Sequence, residues 1–158
     1  MLTRTPYGLR ERPPQVTEQT LREAAEVFRR HPEVMLGYLF GSYARGRPTP
    51  ISDIDFAVLL SGAVPRDAYL DQQIALTQEL TRRFRSDEVE VVILNQAPPL
   101  LAYKVIVEGR ELFCRDAVTR VRFRVDATRR YLDTIPLRRV QAEATARRIR
   151  EGRFGCRS

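Results

Sequence analysis

Asp53 and Asp55 stand one residue apart, a short way downstream of Gly41-Ser42, and these four residues carry most of the chemistry legible in the chain. Two carboxylates at that spacing repel, and the pKa of each rises unless a cation lies between them. Mg²⁺ is a hard ion that takes one or two protein carboxylates together with substrate phosphates. Gly41 lacks a Cβ, so the backbone there can turn sharply and come close to a ligand. Ser42 is a favourable N-cap, and a short helix starting at it would direct free N–H groups and a helix dipole at an anion. Either half alone has a plain alternative, an ordinary strand-to-helix turn or a solvated strand end. In this order and at this distance they describe a site for a nucleoside triphosphate and Mg²⁺. Glu90 is the single acidic residue in the body of the apolar run 89–94. It is the candidate third carboxylate, facing the metal or deprotonating an attacking hydroxyl. Its competing reading is an edge-strand charge that discourages aggregation.

Three strands must position these groups. Residues 34–40 are apolar almost throughout and lie between Pro32 and Gly41, which predicts a buried strand. Residues 51–60 predict a second, with Ile54, Phe56, Val58 and Leu60 on one face and Asp53 and Asp55 on the other. Residues 89–94 form the third, and residues 110–114 add a final short strand. Helices are expected from Val16-Thr17 to about His31, with an apolar stripe of Leu21, Ala24, Ala25 and Phe28, and over 67–85, with Leu70, Ile74, Leu80 and Phe84 inward. A third helix starts at Pro98-Pro99 and ends at Gly109. The fold class that follows is α/β (α+β), a small mixed sheet flanked by helices.

Composition narrows the chemistry. The 158 residues suit one core-forming domain, and Cys114 and Cys156 are too few for a disulfide framework or a zinc site. His31 is the only histidine and precedes Pro32, so paired-histidine chemistry is excluded and a helix cap is expected. No apolar run is long enough to span a bilayer, which points to a cytoplasmic protein. From Arg115 onward there are thirteen arginines against five acidic residues, a net +8, so the preceding residues sum to −1 of the total +7. The division that results is an irregular N-terminal arm (1–15), a compact domain (16–115) and an Arg-rich helical extension (116–158). The extension reads as two helices broken near Pro136, with Val118, Val121, Val125 and Leu132 on one stripe of the first. It could grip nucleic acid through phosphates, dock an acidic protein partner, or be a solvated face. Its few aromatics for stacking bases (Phe123, Tyr131, Phe154) weaken a single-stranded RNA reading, and nucleic acid is not the favoured partner.

Gly41-Ser42, then Ser52-Asp53-Ile54-Asp55, then Val89-Glu90-Val91-Val92-Ile93-Leu94-Asn95 resemble the minimal nucleotidyltransferases of the DNA polymerase β superfamily. The stretch from Leu94-Asn95-Gln96-Ala97-Pro98-Pro99 to Glu108-Gly109-Arg110-Glu111-Leu112-Phe113 is similar to MNT-type antitoxins paired with HEPN toxins. The resemblance covers roughly residues 21–115 and implies the nucleotidyltransferase fold. It also implies Mg²⁺-dependent transfer of AMP from ATP to a hydroxyl, with two metal ions, on a tyrosine of a HEPN ribonuclease toxin that is thereby neutralised. On that basis Gly41 and Ser42 would hold the β- and γ-phosphates, and Arg45 could meet a phosphate. Asp53 and Asp55 would bind both metals, and Glu90 would join one metal and assist the incoming hydroxyl. The family commonly has Asp where this chain has Glu90. Two other functions fit the residues: adenylylation of a small molecule such as an aminoglycoside, and a non-catalytic module binding a partner or nucleic acid. The chain has little room for a small-molecule domain, and a pure binder has no need of crowded carboxylates.

Overall fold

The structure, a computed structural model, describes residues 15–151. The arm expected over 1–15 therefore lies outside the described residues except for its last position, and so do Phe154 and Cys156.

Four strands form one sheet: β1 (Val34–Phe40), β2 (Ile54–Leu60), β3 (Val89–Ile93) and β4 (Arg110–Cys114), in the order β3-β2-β1-β4. β1 is antiparallel to both β2 and β4, whereas β2 and β3 run parallel. A parallel pair needs a crossover, supplied here by α3 (Tyr69–Phe84). Alternate residues of β2 divide between two cores. Ile54, Phe56, Val58 and Leu60 pack with α1 (Glu18–Arg30) and α3, and Ala57 faces α4 (Pro99–Glu108) and α5 (Ala117–Arg150) on the other side.

The local reasons are readable. Thr17 caps α1, its hydroxyl accepting from the Thr20 amide while the Thr20 side chain answers the Thr17 backbone. His31 ends that helix as expected and meets Glu79 through Nε2 at 2.9 Å. Phe28 lies against Gly37 so closely that a Cβ there would sit 2.4 Å from its ring, which is why β1 carries a glycine mid-strand.

Three expectations change. β2 begins at Ile54 rather than at residue 51, and Ile51 is 68% exposed. α3 turns Tyr69, Leu76 and Leu80 inward, while Leu70 and Ile74 face solvent. The cause is Gln73, a polar residue on the inward face whose amide donates to the Val91 carbonyl at 2.8 Å and ties α3 to the edge strand β3. Lastly, α5 is one helix through Pro136, not two. Proline removes the N–H that would bond the carbonyl of Leu132. That residue is exposed, so water can take the bond, and the break is averted. The stripe Val118, Val121, Val125 and Leu132 points outward, and Phe123 and Ala127 supply the buried face instead.

Candidate active site

The carboxylates gather where β1 ends and β2 begins. Asp55 lies opposite Phe40, the last residue of β1, and beside Glu90 in the parallel register with β3. In each strand these acids occupy the alternation that does not feed the α1/α3 core, so Asp55 and Glu90 lie on one face of the sheet. Asp53 precedes the strand and is exposed, so strand pleating does not place it. It is still close enough to act on Asp55. Burial first, then the Glu90 and Asp53 charges, push the Asp55 carboxyl up to about 6 from 3.8, against a smaller pull from Arg45.

The turn above is α2 (Gly41–Ala44), a single helical turn. Gly41 adopts φ +72°, a left-handed conformation that favours glycine. A Cβ at Gly41 would stand 2.1 Å from Asp55 Oδ2, so the glycine is required twice, by conformation and by space. Ser42 is not the cap: the helix starts one residue earlier, with Phe40 in the N-cap position and no side-chain cap bond. Ser42 thus lies inside the first turn, where backbone N–H groups have no intrahelical partner. Arg45 follows the turn and donates to Glu108 at 3.2 Å, at the end of α4.

The sequence assigns Glu108 no role of its own, because an acidic residue ending a helix before Gly109 looks like surface. Only the contact between α2 and α4 gives it a role, that of restraining Arg45 beside Asp55. Among the described residues, no three His, Cys, Asp or Glu side chains are placed to hold a metal by themselves. Asp53, Asp55 and Glu90 are close enough to repel, however, and a divalent cation that also bound substrate phosphates would relieve that repulsion. The donor set fits a nucleotide-bound Mg²⁺ and does not form a preformed cage.

The chain matches the family model described as polymerase beta, nucleotidyltransferase, over residues 22–118, and it belongs to that family. It is 37% identical over 82 residues to the protein adenylyltransferase MntA of Shewanella oneidensis. That match covers 52% of this chain and 55% of the relative, so it spans about half of the relative's length. Among solved structures, the chain resembles one of a toxin–antitoxin complex with AMP-PNP, with a TM-score of 0.65 and 27% identity over 79% of this chain and 98% of the other. Another is the tri-AMPylated Shewanella oneidensis HEPN toxin in complex with MNT antitoxin, with a TM-score of 0.64, 25% identity, and coverage of 82% and 98%. The nucleotidyltransferase-type mixed sheet expected from the sequence is therefore the fold of this chain. No helix among the described residues is long and apolar enough to cross a membrane.

Proposed function

We propose that this chain is a protein adenylyltransferase that moves AMP from ATP to a hydroxyl of a partner protein, a tyrosine of a HEPN-type toxin that it neutralises. The observation that carries the reading is Asp55 lying in register with Glu90 directly beneath the Gly41 turn. The adenylyltransferase name of the curated relative, the AMP-PNP complex and the tri-AMPylated HEPN toxin support the choice of nucleotide and acceptor.

In this reading the acceptor oxygen bonds to the α-phosphorus of ATP, the bond to the β-phosphate oxygen breaks, and pyrophosphate leaves. Asp53 and Asp55 would hold two Mg²⁺ ions, and Glu90 would join one of them. When bound, Mg²⁺ neutralises phosphate charge and polarises the reacting phosphoryl group. The Gly41 and Ser42 amides cradle the β- and γ-phosphates, and Arg45, restrained by Glu108, approaches a phosphate. Glu90 lies at the exposed edge of the site, where it receives the proton of the incoming hydroxyl. A triphosphate substrate and two isolated cysteines support action in the cytoplasm.

The test is to incubate the chain with Mg²⁺, labelled ATP and the HEPN-domain protein of the same genome, then weigh that protein intact. Added AMP located on a tyrosine is expected. A folded chain that binds AMP-PNP yet adds no mass to the HEPN protein would sink the assignment of the acceptor.

A further inference from the structure

α5 carries two apolar faces, and the domain uses only one. Phe123 and Ala127 are buried in the core beneath α4, and Tyr131 stacks on Tyr103 with ring centroids 4.1 Å apart. Val118, Val121, Val125 and Leu132 follow one another at helical spacings and are each more than half exposed. Phe123 and Ala127 lie two residues on from Val121 and Val125, which at 3.6 residues per turn is about 200° around the helix. The valine stripe therefore points directly away from the body of the protein. A helix needs one apolar stripe to pack on its own domain. The second one, on the far side, is left uncovered by the described residues.

Charge borders this stripe. Arg122 and Arg129 are exposed beside it and form no salt bridge with any described residue. By contrast, Arg120 and Arg130, on the domain side, donate to Glu111 and to the Ala97 carbonyl. Over Ala117–Arg150 there are ten arginines against three acidic residues. A second copy of this chain would bring arginine rims against each other, and like charges in apposition oppose pairing. The stripe is also small. From Val118 to Leu132 it runs about 21 Å, and at about 10 Å of helix width it covers about 200 Å², well short of the roughly 800 Å² per partner that a stable interface covers. Its occupant must bind elsewhere as well, which an acceptor entering the nucleotide site does.

We propose that the outward face of α5 is the docking surface for the acceptor protein, which meets it with an apolar helical face edged by Asp and Glu. The inference rests on the protein-acceptor reading above and adds to it the place of contact. Phosphate-rich nucleic acid would use the arginines but not the valines, so the two occupants respond differently to substitution.

The experiment compares the full-length chain with Val121→Thr/Val125→Thr, which keeps shape while removing apolarity, and with Arg122→Glu/Arg129→Glu. The probe is the purified HEPN-domain protein of the same genome, followed both by direct binding and by AMP transfer. All these side chains are exposed, so helix content by circular dichroism should be unchanged. Expected are a rise of about tenfold or more in the dissociation constant, and in KM for the acceptor, for both variants. The maximal rate should stay within about twofold, with AMP-PNP binding unaltered. Unchanged acceptor binding in the valine variant overturns the proposal. So does a wild-type chain that sediments as a dimer which the valine substitution disperses, or binding of single-stranded RNA lost only in the arginine variant. If the HEPN protein binds through this face but receives no AMP, the transfer reading has failed and the docking surface stands.

Discussion

The corner where β1, α2 and β2 meet and the long helix α5 hold charge in opposite ways. At the corner a half-buried carboxylate, Asp55, sits near two exposed ones, Asp53 and Glu90, and burial together with their charges raises its pKa to about 6. Along α5 the arginines are many but spread apart, and most face water. The first arrangement costs stability wherever Asp55 is ionised with no cation beside it, and the second costs almost nothing at any time. A raw count of charge would rank the tail as the more functional region. Local crowding ranks them the other way, because at the corner the pull of Arg45 offsets the burial and repulsion of Asp55 only in part.

Not every arginine from Arg115 onward is idle, which sharpens the contrast. Arg115 donates through Nε to the Val34 carbonyl at 2.8 Å and through a terminal nitrogen to those of Arg29 and His31 at 3.0 and 3.1 Å, capping the end of α1. Its guanidinium also lies 5.0 Å from the Phe113 ring centre. Arg120 completes a part-buried chain with Glu111 and the Tyr38 hydroxyl. Burial, then the Glu111 charge, hold that phenol well above its ordinary range. These arginines are fasteners, and their neighbours on the outer face of α5 are not.

The largest effect separating the two regions should come from the corner. Asp55→Asn or Asp53→Asn is expected to lower Mg²⁺-dependent transfer by about 10³-fold, the scale of several kcal/mol of lost charge stabilisation. Asp55→Asn carries a second signature. Because the folded-state pKa is raised from 3.8 to about 6, this group destabilises the metal-free protein progressively as pH climbs through that window, and fully above it. Without Mg²⁺ the Asn variant should melt higher than the parent at neutral pH, and with it at acidic pH below the window. Equal melting temperatures at neutral pH would mean that Asp55 is not crowded.

Next comes Gly41→Ala. It meets a left-handed φ, worth about 1–2 kcal/mol against a side chain, and a 2.1 Å approach to Asp55 Oδ2. Both a lower thermal midpoint and a loss of transfer of more than about tenfold are expected. A variant that melts lower but transfers normally would show that the turn does not touch the phosphates. Glu90→Gln should follow, slowing transfer by about 10²-fold, the lower end for a lost general base. It should also shift the acid limb of the pH–rate profile downward, since the Glu90 charge is the second cause, after burial, of the raised Asp55 pKa. A profile that does not move, with an unchanged rate, would leave Glu90 as an edge-strand charge.

Much of the corner was legible in sequence because its signals are local. Gly41, Ser42, Asp53 and Asp55 are read from a turn and a short-range spacing, and Val34–Phe40 is bounded as expected to the residue. Glu90 needed one long-range fact, that β3 lies parallel to β2, which periodicity alone does not supply. The misses have the same origin. Gln73 holds the inward position between Tyr69 and Leu76, so the apolar pattern points to Leu70 and Ile74 in the first half of α3, while Leu80 and Phe84 face the core as expected. On α5 the period marks the valine stripe and leaves its direction open. A stripe of valines reports a face, but nothing in the spacing says what covers it.

Pro136 marks the smallest expected effect and the clearest boundary between fastened and free helix. Up to Thr134 the domain-facing positions of α5 are at least partly covered, and beyond it nearly every described residue is exposed. In a helix interior proline costs roughly 3 kcal/mol, so Pro136→Ala should strengthen the helix through residues 137–150. That gain should appear as slower amide exchange in that segment and a small rise in helical ellipticity. It should not reach the global thermal midpoint, which is expected to stay within about 0.5 kcal/mol of the parent's stability. Transfer to a protein acceptor should likewise be unchanged, because the outward stripe ends at Leu132 before the proline. A rise of several degrees would couple the distal half of α5 to the core and make the tail part of the domain.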